Sequence, residues 1–251
     1  MISIKTPTMI MGMKKSGELL RQIHKEIEKI IKPGISTLEI DEFVEKYIKD
    51  HGAIAEQKGY QGFPFATCAS VNDEICHGFP TKEKLKNGDI VTIDMVINLD
   101  GYLSDSAWSY AVGGISEEAK LLMEVTKQAL KVGIDVVKPG NHIGDIGKAI
   151  EKFVKPYNFS IVREFIGHGI GKNMHEDPQV LHYDAGVKGA LIREGMVFTI
   201  EPMINIGNHN IKLDANGWTA RTLDGSLSCQ YEHTIAVTKD GAMILTGEYD
   251  D

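Results

Sequence analysis

The sequence predicts an α+β fold made of two related halves, and three observations predict it. Amphipathic helical stretches carry their own start and stop signals, apolar strand-like runs lie between them, and one pattern of residues recurs along the chain. Over residues 8–31 the apolar side chains Leu19, Leu20, Ile23, Ile27, Ile30 and Ile31 fall on one side of a helix, and Lys32-Pro33-Gly34 ends it. Ser36-Thr37-Leu38-Glu39 reads as a capping box that opens a second helix, to about Asp50. Strands are predicted over 65–71 and 89–98, and Asp100-Gly101 turns the latter back into a strand over 102–112. Ser116 caps a long helix to about Val137, which a second Lys-Pro-Gly at 138–140 stops.

That second Lys-Pro-Gly belongs to the recurring pattern. Residues 32–48 lie over 138–154 at an offset of 106 (138 − 32), with Ile40 on Ile146, Glu45 on Glu151 and Lys46 on Lys152. Further on, 88–98 lies over 195–205 at an offset of 107 (195 − 88), so that Asp94 falls on Glu201. The stretch from Cys76 to Pro80 matches that from Met174 to Pro178 at an offset of 98 (175 − 77), which sets His77 on His175. Two copies are too few for a solenoid. They predict a pseudo-twofold unit, halves about 1–113 and 114–251, in which each half brings a strand-borne acid to a shared cleft, with helices covering antiparallel sheet.

Composition narrows the function. Hydrophobic residues at 42% and charged residues at 25% are ordinary for a soluble globular chain. A net charge of −8 leaves no basic face for nucleic acid. The N-terminal stretch is too short for a signal segment and no apolar run spans a bilayer, so no membrane partner is expected. Cys68, Cys76 and Cys229 form no C-x-x-C pair, which argues against a disulfide framework or a zinc knuckle and for a reducing, cytoplasmic setting.

The chemistry centres on Phe165 to Pro178, where His168 and His175 stand seven residues apart and Gly167 and Gly169 leave the first imidazole open to close approach. Four acids sit on or beside apolar strand-like runs: Asp94, Asp105, Glu201 and Glu232. A carboxylate in such a run must be paired, protonated or bound to metal, because burying it alone costs several kcal/mol or more. No strand-borne lysine or arginine lies near them in sequence. Two divalent cations would cancel the four charges, and one imidazole would complete a ligand set suited to manganese, iron, cobalt or zinc. Such a pair activates a bridging water and polarises a carbonyl. His77 and His175 would then act outside the ligand set, hydrogen-bonding the substrate amide and its oxyanion. The glycine-rich stretch has neither the P-loop ending nor dinucleotide-fingerprint spacing, and 225–229 lacks the last glycine of a nucleophile elbow. The three cysteines read as small core residues rather than nucleophiles.

Taken together, these blocks resemble the type I methionine aminopeptidases of the pita-bread metallopeptidase fold. The likeness runs from about residue 3 to 246 and rests on Ser70-Val71-Asn72 leading to Cys76-His77-Gly78, Thr92-Ile93-Asp94, Gly167 to Gly171, Met174 to Pro178, Thr199 to Pro202 and Gln230 to Thr234. It implies dinuclear ligands at Asp94, Asp105, His168, Glu201 and Glu232, with Asp105 and Glu232 bridging. It implies Glu201 as proton acceptor and His77 and His175 as substrate contacts. It further implies a methionine pocket of Tyr60, Phe63, Cys68 and Trp218, and a monovalent cation near Asn72 and Ser228. Read by itself, Trp218 after the Asn216-Gly217 turn is a core or lid residue. Ser104 and Met174 stand where relatives usually carry glycine and phenylalanine, and no zinc-binding N-terminal extension is present, as in the short bacterial form.

The expectation is one catalytic domain over 1–251: a monomeric, cytoplasmic aminopeptidase that takes the initiator methionine from nascent chains when the second residue is small, with transient ribosome association. Two rivals remain, an Xaa-Pro peptidase of the same fold and a binding protein that has lost its metals.

Overall fold

The computed structural model describes residues 1–249. In the first half, α1 (Pro7–Ile30) starts where Thr6 Oγ1 accepts from the Met9 N–H and Pro7 supplies the fixed first φ. The predicted capping box forms, and α2 (Thr37–Asp50) follows Ser36. Then come β1 (Ile54–Ala55), β2 (Cys68–Val71), β3 (Glu74–Cys76), β4 (Ile90–Leu99) and β5 (Tyr102–Ala111). β4 and β5 form a ten-pair antiparallel hairpin from Ile90↔Ala111 to Leu99↔Tyr102. It closes on Asp100 and Gly101, both at positive φ (55° and 85°), the turn that matches strand twist. The strand predicted over 65–71 begins only at Cys68. The N–H and hydroxyl of Thr67 instead donate to Asp41 Oδ1 on α2, which takes the preceding residues out of the ladder.

The second half repeats the plan with α3 (Glu117–Asp135) and α4 (Ile143–Val154), then ten short strands: β6 (Ser160–Ile161), β7 (Gly167–Gly169), β8 (Glu176–Val180), β9 (Val197–Ile200), β10 (Met203–Asn205), β11 (Ile211–Leu213), β12 (Ala220–Thr222), β13 (Ser228–Gln230), β14 (His233–Thr238) and β15 (Gly241–Ile244). The duplication reappears in detail. In both α2 and α4 an acid three residues on accepts the N–H of the residue before the helix, Glu39 from Ser36 and Asp145 from His142, 106 apart (142 − 36). Isolated bridges Ser36↔Lys84 and His142↔Leu191 repeat the same stitch.

Every strand pair is antiparallel, in four groups: β1, β2 and β5 around β4; β13-β10-β6; β11-β12-β3; and β15-β14-β9-β7-β8. Among the described residues the two largest apolar clusters lie between the helices and the strands of each half. Ile23, Ile27, Ile40 and Val44 of α1 and α2 pack on Ile93, Met95 and Ile97 of β4, and Leu122, Ala129, Ile146 and Ile150 of α3 and α4 pack on Phe198, Ile200 and Ile235. The strands therefore turn their other faces toward a cleft between the halves. Among the described residues no helix is long and apolar enough to cross a membrane.

Candidate metal centre and substrate cleft

The period-2 alternation of β4 and β5 sets Asp94 and Asp105 on one face. Asp94 pairs with Ala107 and Asp105 with Val96, so the two carboxylates are diagonal neighbours on the cleft side. Glu201 follows the last residue of β9 and Glu232 precedes the first of β14, where Ile200 pairs with His233. His168 lies on β7, which joins β9 through Gly169↔Phe198. Its N–H donates to Thr199 Oγ1 (3.0 Å), and that hydroxyl donates to Glu201 Oε1 (2.8 Å). The glycines flanking His168 serve close approach. A Cβ on Gly167 would meet Thr199 O at 2.5 Å, and one on Gly169 would meet Asp177 O at 2.0 Å.

All five predicted ligands converge. His168 Nε2 lies 3.6 Å from Asp105 Oδ2 and 3.7 Å from Glu201 Oε1. Donor atoms of Asp105, His168 and Glu232 lie within 4.8 Å of one another. Asp94 Oδ1, Asp105 Oδ1 and Glu232 Oε1 are buried with no hydrogen-bond partner, which a folded chain tolerates when a cation takes up those lone pairs. The electrostatics agree. Burial, with the charges of Asp105 and Glu201 beside it, pushes Asp94 far above the usual carboxylate range, and burial with Asp105 does the same to Glu232. Burial raises Glu201 to about 7, with His168 and the Thr199 hydroxyl opposing. Burial works against charge on His168, yet the closeness of Asp105 and the charges of Glu201 and Asp105 outweigh this and lift the imidazole to about 9. The cluster draws in positive charge, and its hard oxygens and single imidazole fit divalent first-row metals.

Above this floor lies a cleft of about 670 Å³ that also takes in Tyr60, Phe63, Cys68, His77, His175 and Trp218. His175 and His77 both line it. Tyr60 Oη is 2.9 Å from His175 Nδ1, and the rings of His168 and His175 meet edge to face at 4.3 Å. His77, at φ 56°, is held edge-on to Phe165 and Trp218, and burial lowers it to about 4, so it is neutral at pH 7. Trp218 meets Phe63 edge-on at 5.1 Å and is half-buried in the cleft wall rather than in a core. Burial pushes the Cys68 thiol far up, so it serves as a small neutral wall. All three cysteines are free and buried. Met174 is buried in the wall. Ser104 faces away, its hydroxyl 2.8 Å from that of Ser16 on α1, so it leaves the cleft unchanged. Ser228 Oγ is buried without a partner, and the Ser228 N–H donates to the Asn72 carbonyl.

Several cleft residues were not found by sequence reasoning. Gln57 is buried in the wall, donates to Cys68 Sγ (3.5 Å) and accepts from the Val96 N–H. His182 is buried behind Glu201 and accepts its backbone N–H at 3.0 Å. Thr199 does carry a signal, since it precedes Glu201 by two and so shares its strand face.

The fold and the carboxylate-imidazole cluster define a metallopeptidase, and the comparisons give its family. The model of "Metallopeptidase family M24" matches residues 11–239, and the chain belongs to that family. Over its whole length the chain is similar to methionine aminopeptidases: it is 47% identical over 246 residues to methionine aminopeptidase 1 of Bacillus subtilis (strain 168), covering 98% of this chain and 99% of that one. It is 45% identical over 252 residues to methionine aminopeptidase of Escherichia coli (strain K12), covering 100% and 96%. The crystal structure of methionine aminopeptidase from Rickettsia prowazekii superposes with a TM-score of 0.97 at 43% identity, covering 98% of this chain and 100% of that one.

Proposed function

We propose that this chain is a methionyl aminopeptidase that removes the initiator methionine from nascent polypeptides when the second residue is small. The observation that carries it is the meeting of four carboxylates and His168 at the floor of a cleft walled by aromatic and small apolar side chains. Asp94, Asp105, His168, Glu201 and Glu232 would hold two divalent ions, of cobalt, manganese, iron or zinc, with Asp105 and Glu232 shared between them. Such ions, when bound, polarise the scissile carbonyl and supply a nucleophile at neutral pH.

The chain's own residues do the rest. Tyr60, Phe63, Cys68 and Trp218 receive the methionine side chain, a soft apolar group that their rings and neutral thiol suit. The substrate ammonium faces the carboxylate floor, which accounts for an exopeptidase. His77 and His175 hydrogen-bond the scissile amide and the oxyanion that grows on it. Glu201, held by the Thr199 hydroxyl at the cleft floor, accepts a proton from the nucleophile. A monovalent cation beside Asn72 and Ser228 completes the ligand complement, with the unpartnered Ser228 hydroxyl in support. We infer one catalytic domain over the whole chain, acting as a cytoplasmic monomer on chains leaving the ribosome.

The test strips the protein with a chelator, restores single divalent metals and offers Met-Ala-Ser, Met-Lys-Ser and Ala-Pro-Ser. Metal-dependent release of methionine from the first alone is expected. Cleavage of the Ala-Pro peptide would move the chain to the Xaa-Pro branch, and silence with every metal would leave a binding protein.

A further inference from the structure

Ahead of α1, and ahead of the residues matched by the family model, the chain passes beneath the loop that carries His175. Lys5 lies on this strap. Its side chain is 1% exposed, and its Nζ donates to Glu176 Oε2 at 2.8 Å. A lysine this deep is unusual, because its ammonium loses its water and must be compensated by a partner fixed in place. The Lys5 end is anchored: its N–H donates to Gly195 O (2.7 Å), and the Gly195 N–H donates to Val237 O on β14. Room is made on both sides. A Cβ on Gly171 would meet Lys5 Cε at 2.5 Å, and one on Gly195, at φ 83°, would meet Lys5 O at 2.9 Å.

The other end of the pair is the turn itself. Glu176 Oε1 accepts the Asn173 N–H at 3.0 Å, and the Gly171 N–H donates to Asn173 O, so one carboxylate both closes the 171–176 turn and receives the buried ammonium. His175 is the residue before it. Its side chain is exposed in the cleft wall and is held by Tyr60, but its backbone is fixed from below by Glu176. The neighbouring pairing, Gly169↔Glu176, comes just past a register shift, so regular strand pairing does not extend through the turn.

We propose that Lys5 is a positioning residue for the aminopeptidase reaction: through Glu176 it fixes the turn that sets His175 against the substrate. This rests on the reading of His175 as a substrate contact. Catalytic hydrogen bonds are sensitive to ångström displacements, so the loss is expected in turnover rather than in binding.

The experiment measures kcat and KM for Met-Ala-Ser on the metal-loaded full chain carrying Lys5→Met, Glu176→Gln, His175→Ala and the double variant Lys5→Met/His175→Ala. Lys5→Met is expected to lower kcat on the order of tenfold with KM within about twofold. Glu176→Gln keeps the acceptor for Asn173 but loses the charge pair, and is expected to lower kcat likewise should Lys5→Met fail to fold. In the His175→Ala background the Lys5 change is expected to have no further effect, because it acts through the missing imidazole. The same tenfold loss in both backgrounds, or kcat unchanged in both single variants of the pair, would overturn the proposal while leaving His175 in its role. Full activity in His175→Ala would remove that role and the proposal with it.

Discussion

The two halves bring their acids to the cleft by different means. In the first, Asp94 and Asp105 ride an unbroken ten-pair hairpin, and short side chains on a straight ladder suffice. In the second, the matching strands pair on either side of a gap: Ile200 with His233, then Met203 with Gln230, leaving out Glu201-Pro202 on one strand and Tyr231-Glu232 on the other. Proline has no N–H to give a ladder. The backbone groups released there find partners elsewhere. The Glu201 N–H goes to His182, and the Glu232 N–H crosses to Ala107 O on β5 of the other half at 2.8 Å. Thr234 Oγ1 accepts the Asp105 N–H and donates to its carbonyl, a second stitch beside the first. Duplication thus set Asp94 and Glu201 in matching strands, and the break in one copy joined the copies where they meet.

Removing a shared carboxylate should be the most damaging change. Asp105→Asn on the unbroken hairpin and Glu232→Gln at the gap are each expected to lower kcat/KM for Met-Ala-Ser by roughly 10³-fold or more, the scale of a lost electrostatic or acid-base group. Metal content by elemental analysis is expected to fall in both. A large loss in one variant alone would show that only that half holds the ions.

His175 and His77 sharpen the contrast one step outward. His175→Ala is expected to lower kcat by about 10²-fold with metal content unchanged, as for one missing oxyanion donor. His77→Ala is expected to cost about tenfold in rate, and also to lower the melting temperature, because its ring packs on Phe165 and Trp218. Metal content falling in step with activity would make either histidine a ligand and not a substrate contact.

Much of this arrangement is written locally. Asp94, Asp105 and Glu201 announce themselves as charges on or beside apolar runs, and the doubled Lys-Pro-Gly reveals the halves because the turn and the helix face recur at one offset. Pro202 marks one side of the gap. Its partner at Tyr231-Glu232 carries no breaker, since that strand is interrupted only because its neighbour is. Gln57, His182 and Lys5 stay hidden for a related reason. Each matters through contacts between different elements, Lys5 with Glu176 being 171 positions apart, and no period or motif encodes them.

His182 gives the gap an acid limit. Burial depresses its pKa to about 3, so the folded chain keeps it neutral while it accepts the Glu201 N–H. The folded value lies below the unfolded value of about 6.5. Above pH 6.5 neither state binds the proton; below it the unfolded chain does and the native chain does not, so stability falls as pH drops from 6.5 toward 3. Between pH 7.5 and 5 this amounts to about 2 kcal/mol. His182→Gln keeps an acceptor for the N–H and is expected to lose less stability over that interval by about this amount, read by urea unfolding of chelated protein. Equal losses in both proteins would place the acid sensitivity elsewhere.

Pro202→Ala asks whether the proline makes the gap or only tolerates it. Alanine restores an N–H and frees φ, which costs about 0.4–1 kcal/mol through the unfolded state alone and so about 1–4 °C in melting temperature for a chain of this size. Glu201 is held from outside the ladder, by His182 on its N–H and Thr199 on its carboxylate. Those contacts survive the change, so kcat is expected to stay within about threefold, the effect of a shift well below one ångström. A rise in melting temperature with a hundredfold fall in kcat would mean that the strand had closed across the gap and carried Glu201 out of the cleft. The proline would then be what aims the acid, and His182 would only follow it.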